Sequence, residues 1–168
     1  MEAHMQEMVR FREKLRKATT ALEAIAMTDI QMGNREEREY VRRKLIEFNA
    51  RHVPDDLKSV YEEIDLMIKD DEGNVIGGML SELCWNWIEV HILWVDQAYR
   101  GCGHGSQLLK RIEEIARNKH CTFIKLNTFS FQAPEFYLKH GYREVAVFED
   151  APRGFKHYYF RKDLSAGE

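Results

Sequence analysis

Apolar residues recur at two periods along this chain, and the change between them divides it. Met5, Met8, Phe11, Leu15, Leu22 and Ile25 fall at helical spacing within a stretch rich in Glu, Lys and Arg. This pattern predicts an amphipathic helix over about residues 5–23. A short strand is expected near 29–32. Asn34 is placed to cap a second helix reaching about residue 51, with Val41, Leu45 and Phe48 inward, and Pro54 ends it. The period then shortens. Stretches 64–69 and 75–83 flank Asp70-Asp71-Glu72-Gly73-Asn74, a hairpin signal. Trp87 to Val95, rich in Ile, Val, Leu and Trp, reads as the next strand. Helical spacing returns over 106–119, with Leu108, Leu109, Ile112, Ile115 and Ala116 on one stripe. A strand over 123–128, a short helix over 134–140 and strands near 143–148 and 155–161 complete an α+β order. Pro152-Arg153-Gly154 separates the last two strands.

Strict alternation in the strand at 87–95 puts Trp87, Glu89, His91, Leu93 and Val95 on one face. Ile88, Val90, Ile92 and Trp94 then share the other. The remaining composition narrows the function classes. A chain of 168 residues can bury one substantial core without disulfides. A net charge of −3 gives no electrostatic case for nucleic acid. Cys84, Cys102 and Cys121 are odd in number and lack paired metal spacing, which points to reduced thiols in a cytoplasmic protein. The histidines show no ligand spacing, so no metal is expected. No signal-peptide core and no membrane-length apolar run is found.

Residues 100–105 read Arg-Gly-Cys-Gly-His-Gly, after a strand and ahead of a helix. A helix start carries unpaired N–H groups and the positive end of the macrodipole, and glycines let a ligand approach closely. Together they can form an anion cradle, and a glycine-rich loop that holds no ligand is the alternative. A Walker loop is excluded, because Ser106 and Gln107 stand where Gly-Lys-Ser/Thr would continue. A dinucleotide fingerprint is excluded, because its third glycine position is Ser106 and its turn would leave the strand at once.

The segment from Val95 to Leu109 resembles the coenzyme A motif of the GNAT superfamily of acetyl-CoA-dependent N-acetyltransferases, which runs Gln/Arg-x-x-Gly-x-Gly/Ala. Arg100, Gly103 and Gly105 take its specified positions. Ala133 to Tyr142 resembles the same family's Ala-x-x-x-Tyr-x-x-x-Gly-Phe segment. The resemblance covers about residues 28–164. It implies an acetyltransferase domain over 28–168 behind an amino-terminal helical extension over 1–27. The implied fold is a mixed, mostly antiparallel sheet of six to seven strands, splayed at its centre and flanked by helices.

The resemblance also implies roles. Acetyl-CoA is the cosubstrate. Leu93, Trp94 and Val95 are its backbone partners, as if pantetheine were an added strand. Arg100, Gly101, Cys102, Gly103, His104, Gly105 and Ser106 hold its pyrophosphate. The chemistry needs a neutral amine, an N–H aimed at the developing oxyanion, a proton acceptor and a proton donor for sulfur. Tyr137 is the candidate donor, against a reading as a packed tyrosine. Glu89 and His91 are alternative bases. Against those roles stand a solvated strand edge for Glu89 and a half-buried, hydrogen-bonded ring for His91. Trp85 and Trp87 could wall an acceptor site, although packing is favoured. His104 replaces an aliphatic residue of the family, and could contact phosphate or fill the helix start.

Two departures stand out. Gln97 replaces a frequent proline. Ser130 stands where many members place a CoA-contacting asparagine, and Ser130 or Gln132 is the candidate replacement. The favoured acceptor is a small-molecule primary amine, with a protein or peptide amine and a non-catalytic CoA-binding or partner-binding module as the alternatives. The apolar stripe of the first helix needs a covering surface, on its own domain or on a second subunit, and a homodimer contact is favoured.

Overall fold

The computed structural model describes residues 2–26, 29–58 and 60–164. They divide into two compact units, Met1–Phe48 and Asn49–Glu168. The first unit carries helix α1 (Glu2–Ala26) and most of helix α2 (Arg35–Asn49). Asn34 caps α2 reciprocally. Its Oδ1 accepts from Glu37 N at 3.0 Å, while Asn34 N donates to Glu37 Oε2 at 2.7 Å. This satisfies two donors at the helix entrance.

Two expectations fail in this unit. Residues 29–34 form no strand, and Ile30 and Met32 are fully exposed. Only two apolar side chains alternate there, beside a helix cap that fixes the chain direction. Val41, Leu45 and Phe48 do not point into a core, since each is more than half exposed. Met8, Phe11 and Leu15 are exposed too. The side chains of Met5, Leu22 and Ile25 lie outside the described residues.

The second unit is a six-stranded sheet in the order β1-β2-β3-β4-β6-β5. Its strands are β1 (Tyr61–Lys69), β2 (Val75–Cys84), β3 (Trp87–Val95), β4 (Phe123–Phe129), β5 (Arg143–Phe148) and β6 (His157–Asp163). Every pairing is antiparallel except β3 with β4. That parallel pair is linked through helix α3 (His104–Asn118), and helix α4 (Pro134–Lys139) follows β4. Leu108, Leu109, Ile112 and Ala116 of α3 pack with Met79, Ile88, Val90, Ile124, Leu126 and Phe160 of the sheet in one buried core. Tyr137 and Tyr142 belong to the same core.

Strict alternation fails within β3. The β2–β3 register shifts between Leu80 and Ser81, so Ser81 faces Val90 while Leu80 faces Ile92, and His91 has no counterpart. An extra residue of this kind is a β-bulge, and it re-aims everything beyond it. Leu93 pairs with Met79 and Val95 with Gly77, which puts both on the core face with Ile88 and Val90. Ile92 and Trp94 move to the face of Trp87 and Glu89. The expected grouping therefore holds only as far as His91.

Candidate active site

Strands β3 and β4 pair only from Trp87 with Phe123 to Val90 with Leu126. Both run further, to Val95 and Phe129, and there they part. The gap is the mouth of a cavity of about 840 Å³, lined by β3 from His91 to Val95, the glycine loop, β4 from Asn127 to Phe129, and Phe136 and Tyr137 of α4. This is the size of a pocket for a small ligand. Beyond Val90, β3 offers backbone groups on that side to which an extended ligand can pair.

The loop is built by turns. Asp96 Oδ1 accepts from Ala98 N at 2.8 Å and caps a 3-10 turn over Gln97–Tyr99. Arg100 Nε donates to Val95 O at 2.9 Å, tying the loop back to the end of β3. Arg100 N–H is itself spent on Gln97 O, at 3.3 Å. Arg100 thus shapes the loop and is not one of its amide donors, which corrects the expectation that donors begin at residue 100.

Gly101 and Gly103 take positive φ of 82° and 86°. Gly103 is the N-cap of α3, and Gln107 N donates to Gly103 O at 3.0 Å. The amides of His104, Gly105 and Ser106 precede that bond in the first turn. Gly105 is glycine for a different reason. A Cβ there would stand 3.1 Å from Phe136 Cζ.

Two further groups define the cradle. His104 lines the cavity, and its Nδ1 is buried with no partner among the described residues. A buried ring nitrogen beside first-turn amides fits an anionic oxygen, so these residues suit the diphosphate of a coenzyme A. Ser106 Oγ lies 2.9 Å from His140 Nε2, and His140 Nδ1 lies 2.8 Å from Phe136 O. A carbonyl only accepts, so Nδ1 carries the proton, and in the neutral ring Ser106 donates to Nε2. The Ser106 hydroxyl is therefore engaged within the chain, and what it offers a ligand is its backbone amide. Cys102 is exposed and does not line the cavity.

Ser130 is another correction. Its Oγ accepts from Lys156 N at 3.1 Å and its N–H donates to Lys156 O at 2.9 Å, so it joins the loop before β6 and does not line the cavity. Gln132 does line it. Its Oε1 accepts from Thr128 Oγ1 at 3.0 Å and Phe129 N at 2.8 Å.

Of the catalytic candidates, Tyr137 and His91 line the cavity and Glu89 does not. Tyr137 is buried, with Phe136, Tyr142 and Phe160 as ring neighbours at centroid distances of 5.3, 6.0 and 6.0 Å. Burial pushes its hydroxyl above the usual phenol range. Glu89 Oε2 lies 2.6 Å from Lys125 Nζ. Trp85 and Trp87 meet edge to face at 5.2 Å, and Trp87 stacks on Phe123 at 5.6 Å, so both pack outside the cavity.

Glu82 is the residue that pattern reading missed. It lies 3.4 Å from His91 Nε2 through Oε1 and accepts from Tyr61 OH at 3.0 Å through Oε2. A usable signal existed. The two-residue turn Trp85-Asn86 pairs Cys84 with Trp87 and so sets Glu82 opposite Glu89. Among the described residues no cluster of potential metal ligands occurs, and no helix is long and apolar enough to cross a membrane.

Comparison with known proteins agrees with this geometry. The sequence pattern of the Acetyltransferase (GNAT) family matches residues 21–142. Blasticidin-S acetyltransferase of Streptomyces morookaense is 39% identical over 95 residues, covering 56% of this chain and 70% of the relative. The crystal structure of an acetyltransferase from Bacillus cereus ATCC 14579 superposes with a TM-score of 0.79 at 45% identity, covering 83% of this chain and 99% of that one. A Bacillus anthracis str. Ames structure in complex with acetyl coenzyme A shares the fold. Its TM-score is 0.54 at 20% identity, covering 60% of this chain and 62% of that one.

Proposed function

Since the chain belongs to the GNAT family of acetyltransferases, we propose that it transfers acetyl from acetyl-CoA to a primary amine of a small molecule by direct attack. One observation carries this reading. The cradle, the open lip of β3, His91 and Tyr137 border a single cavity.

Acetyl-CoA, when bound, supplies the activated acetyl group as a thioester. The amides of Gly103, His104, Gly105 and Ser106, with the dipole of α3, hold its diphosphate. His104 Nδ1 adds a side-chain contact. The backbone of Leu93, Trp94 and Val95 pairs with its extended arm. On this reading His91 accepts the proton that an ammonium must lose before it can act as a nucleophile. Tyr137, kept protonated by burial, returns a proton to the departing sulfur. His91 is preferred to Glu89 because Glu89 is paired with Lys125 and lies off the cavity.

The acceptor class rests on two supports. A relative at 39% identity is named for acetylating blasticidin S. The Glu82 carboxylate stands 3.4 Å from His91 and suits a cationic amine. The test is acetyl transfer from acetyl-CoA to a panel of small amines, including blasticidin S, beside peptides with free amino termini. Thiol release with a one-acetyl mass gain on a small amine is expected. Acetylation of peptides alone would move the acceptor class. Tight acetyl-CoA binding with no transfer to any amine would reduce the protein to a binding module.

A further inference from the structure

We propose that Glu82 and Tyr61 are positioning residues for His91, together forming a carboxylate-anchored base on the sheet face that carries Trp87 and Glu89. This rests on His91 as the proton acceptor and adds the groups that make it one. Neither Glu82 nor Tyr61 belongs to a motif of the sequence, and they come from two different strands.

The geometry begins with the bulge. In a regular β3, His91 would pair across to β2 and its neighbours would alternate. As the unmatched residue it stays on the face of Glu89, diagonal to Glu82, which pairs with Glu89. Ile92 then shares that face as well, so one backbone irregularity sends two consecutive side chains to the same side. Glu82 Oε1 stands 3.4 Å from His91 Nε2. This is ion-pair distance, and such spacing shortens when a substrate brings positive charge to the ring. The other carboxylate oxygen is held by Tyr61 OH at 3.0 Å. Tyr61 therefore fixes the rotation of the carboxylate and turns Oε1 toward the imidazole.

The remaining charges around His91 are accounted for. From β2 comes Glu82, with Cys84 two residues along, whose thiol is pushed up mainly by burial and then by Glu82. From β1 come Tyr61, acting through Glu82, and two carboxylates on the same face, Glu63 paired with Glu82 and Asp65 paired with Leu80. On β3 itself is Glu89, neutralised by Lys125 of β4 at 2.6 Å. Asn127 of β4 borders the cavity without charge. Of these carboxylates, Glu82 is the one within ion-pair distance of the ring.

The chemistry balances without a further reactant. A primary ammonium sheds two protons on becoming an amide. One N–H bond breaks as an N–H bond forms on His91, and that proton later passes to solvent. The second is matched by the proton gained by the leaving thiol. With Nε2–H directed at Glu82, Nδ1 is the lone pair that takes the proton, and the carboxylate stabilises the imidazolium that results.

The experiment uses the full chain with Glu82→Gln, Glu82→Asp and His91→Asn. Long-range proton–nitrogen spectra of the histidine rings, recorded without substrate, read the tautomer directly. Wild type is expected to carry the neutral-ring proton of His91 on Nε2, and Glu82→Gln to lose that preference. In turnover, Glu82→Gln should lower kcat about tenfold. It should leave the calorimetric affinity for acetyl-CoA unchanged, while Glu82→Asp keeps most of the wild-type rate. A Glu82→Gln chain with wild-type tautomer and kcat overturns the proposal. A His91→Asn chain that keeps the acidic limb overturns it as well. A wild-type chain that shows the Glu82-dependent tautomer yet acetylates no amine upholds the pairing and retires the acceptor reading instead.

Discussion

At Tyr137 one cause has two effects. Burial among Phe136, Tyr142 and Phe160 removes water from the hydroxyl and raises its pKa. A donor must hold its proton, and a raised pKa extends the pH range in which it does. The group is fully protonated below the ordinary phenol value of about 10 and loses its proton only above it. Tyr137→Phe keeps the ring and removes only the hydroxyl. It should lower kcat about 10²-fold with unchanged affinity for acetyl-CoA, read by steady-state rates beside calorimetry. Wild type should show no loss of kcat from this group below about pH 10. An unchanged kcat in the variant, with chemistry rate-limiting, removes Tyr137 from the reaction. Tyr137, His91 and the glycines were legible because each sits in a motif or carries distinctive chemistry. Glu82 was passed over, because the turn that sets it opposite Glu89 is a weak cue and acids on a half-exposed strand usually mean only a solvated face. Ser130 is the opposite case. A motif position suggested a ligand contact, whereas in the fold its Oγ accepts from Lys156 N and it does not line the cavity.

Among the elements, the strands were legible wherever alternation held. β3 and β5 fall at the predicted bounds, β1, β2 and β4 differ by one to three residues at one end, and β6 is shifted by two at both. The bulge was not legible, since an inserted residue needs no special side chain and shows only in the register with β2. Everything beyond His91 was therefore assigned to the wrong face. The cradle was legible as a glycine pattern, but its glycines serve different ends. At Gly103 a Cβ meets open space and the constraint is φ, whereas at Gly105 it meets Phe136. Gly103→Ala should therefore cost about 1 kcal/mol in backbone strain. As that strain falls on the N-cap of α3, it should also weaken acetyl-CoA binding about tenfold, through turned first-turn amides. Gly105→Ala should act mainly by displacing the Phe136 ring, and so lower thermal stability first. Calorimetry and thermal melts on both variants separate the two effects. A folded Gly103→Ala with wild-type affinity would contradict the cradle assignment.

Across the whole molecule, the family resemblance carried the fold, and the order of elements, hairpins before a strand–helix–strand crossover, agreed with it. The covering of the amino-terminal helices was not legible. An apolar stripe declares a need for burial without naming the surface, and Val41 and Leu45 are exposed in the single chain. A homodimer contact through α1 remains our proposal for Met8, Phe11 and Leu15. Light scattering should give a dimer mass for the full chain and a monomer mass after deletion of residues 1–24. A full-length monomer at micromolar concentration, or a dimeric truncation, would end that idea and leave the enzyme untouched.

The central claim is that coenzyme A lies along the parted edge of β3 with its diphosphate at the start of α3. Backbone amide spectra during titration with coenzyme A test this most directly. The account predicts the largest shifts at Gly103, His104, Gly105 and Ser106 and along Leu93 to Val95, with β1 and β5 unmoved. Saturable binding that leaves the cradle amides unshifted would contradict it.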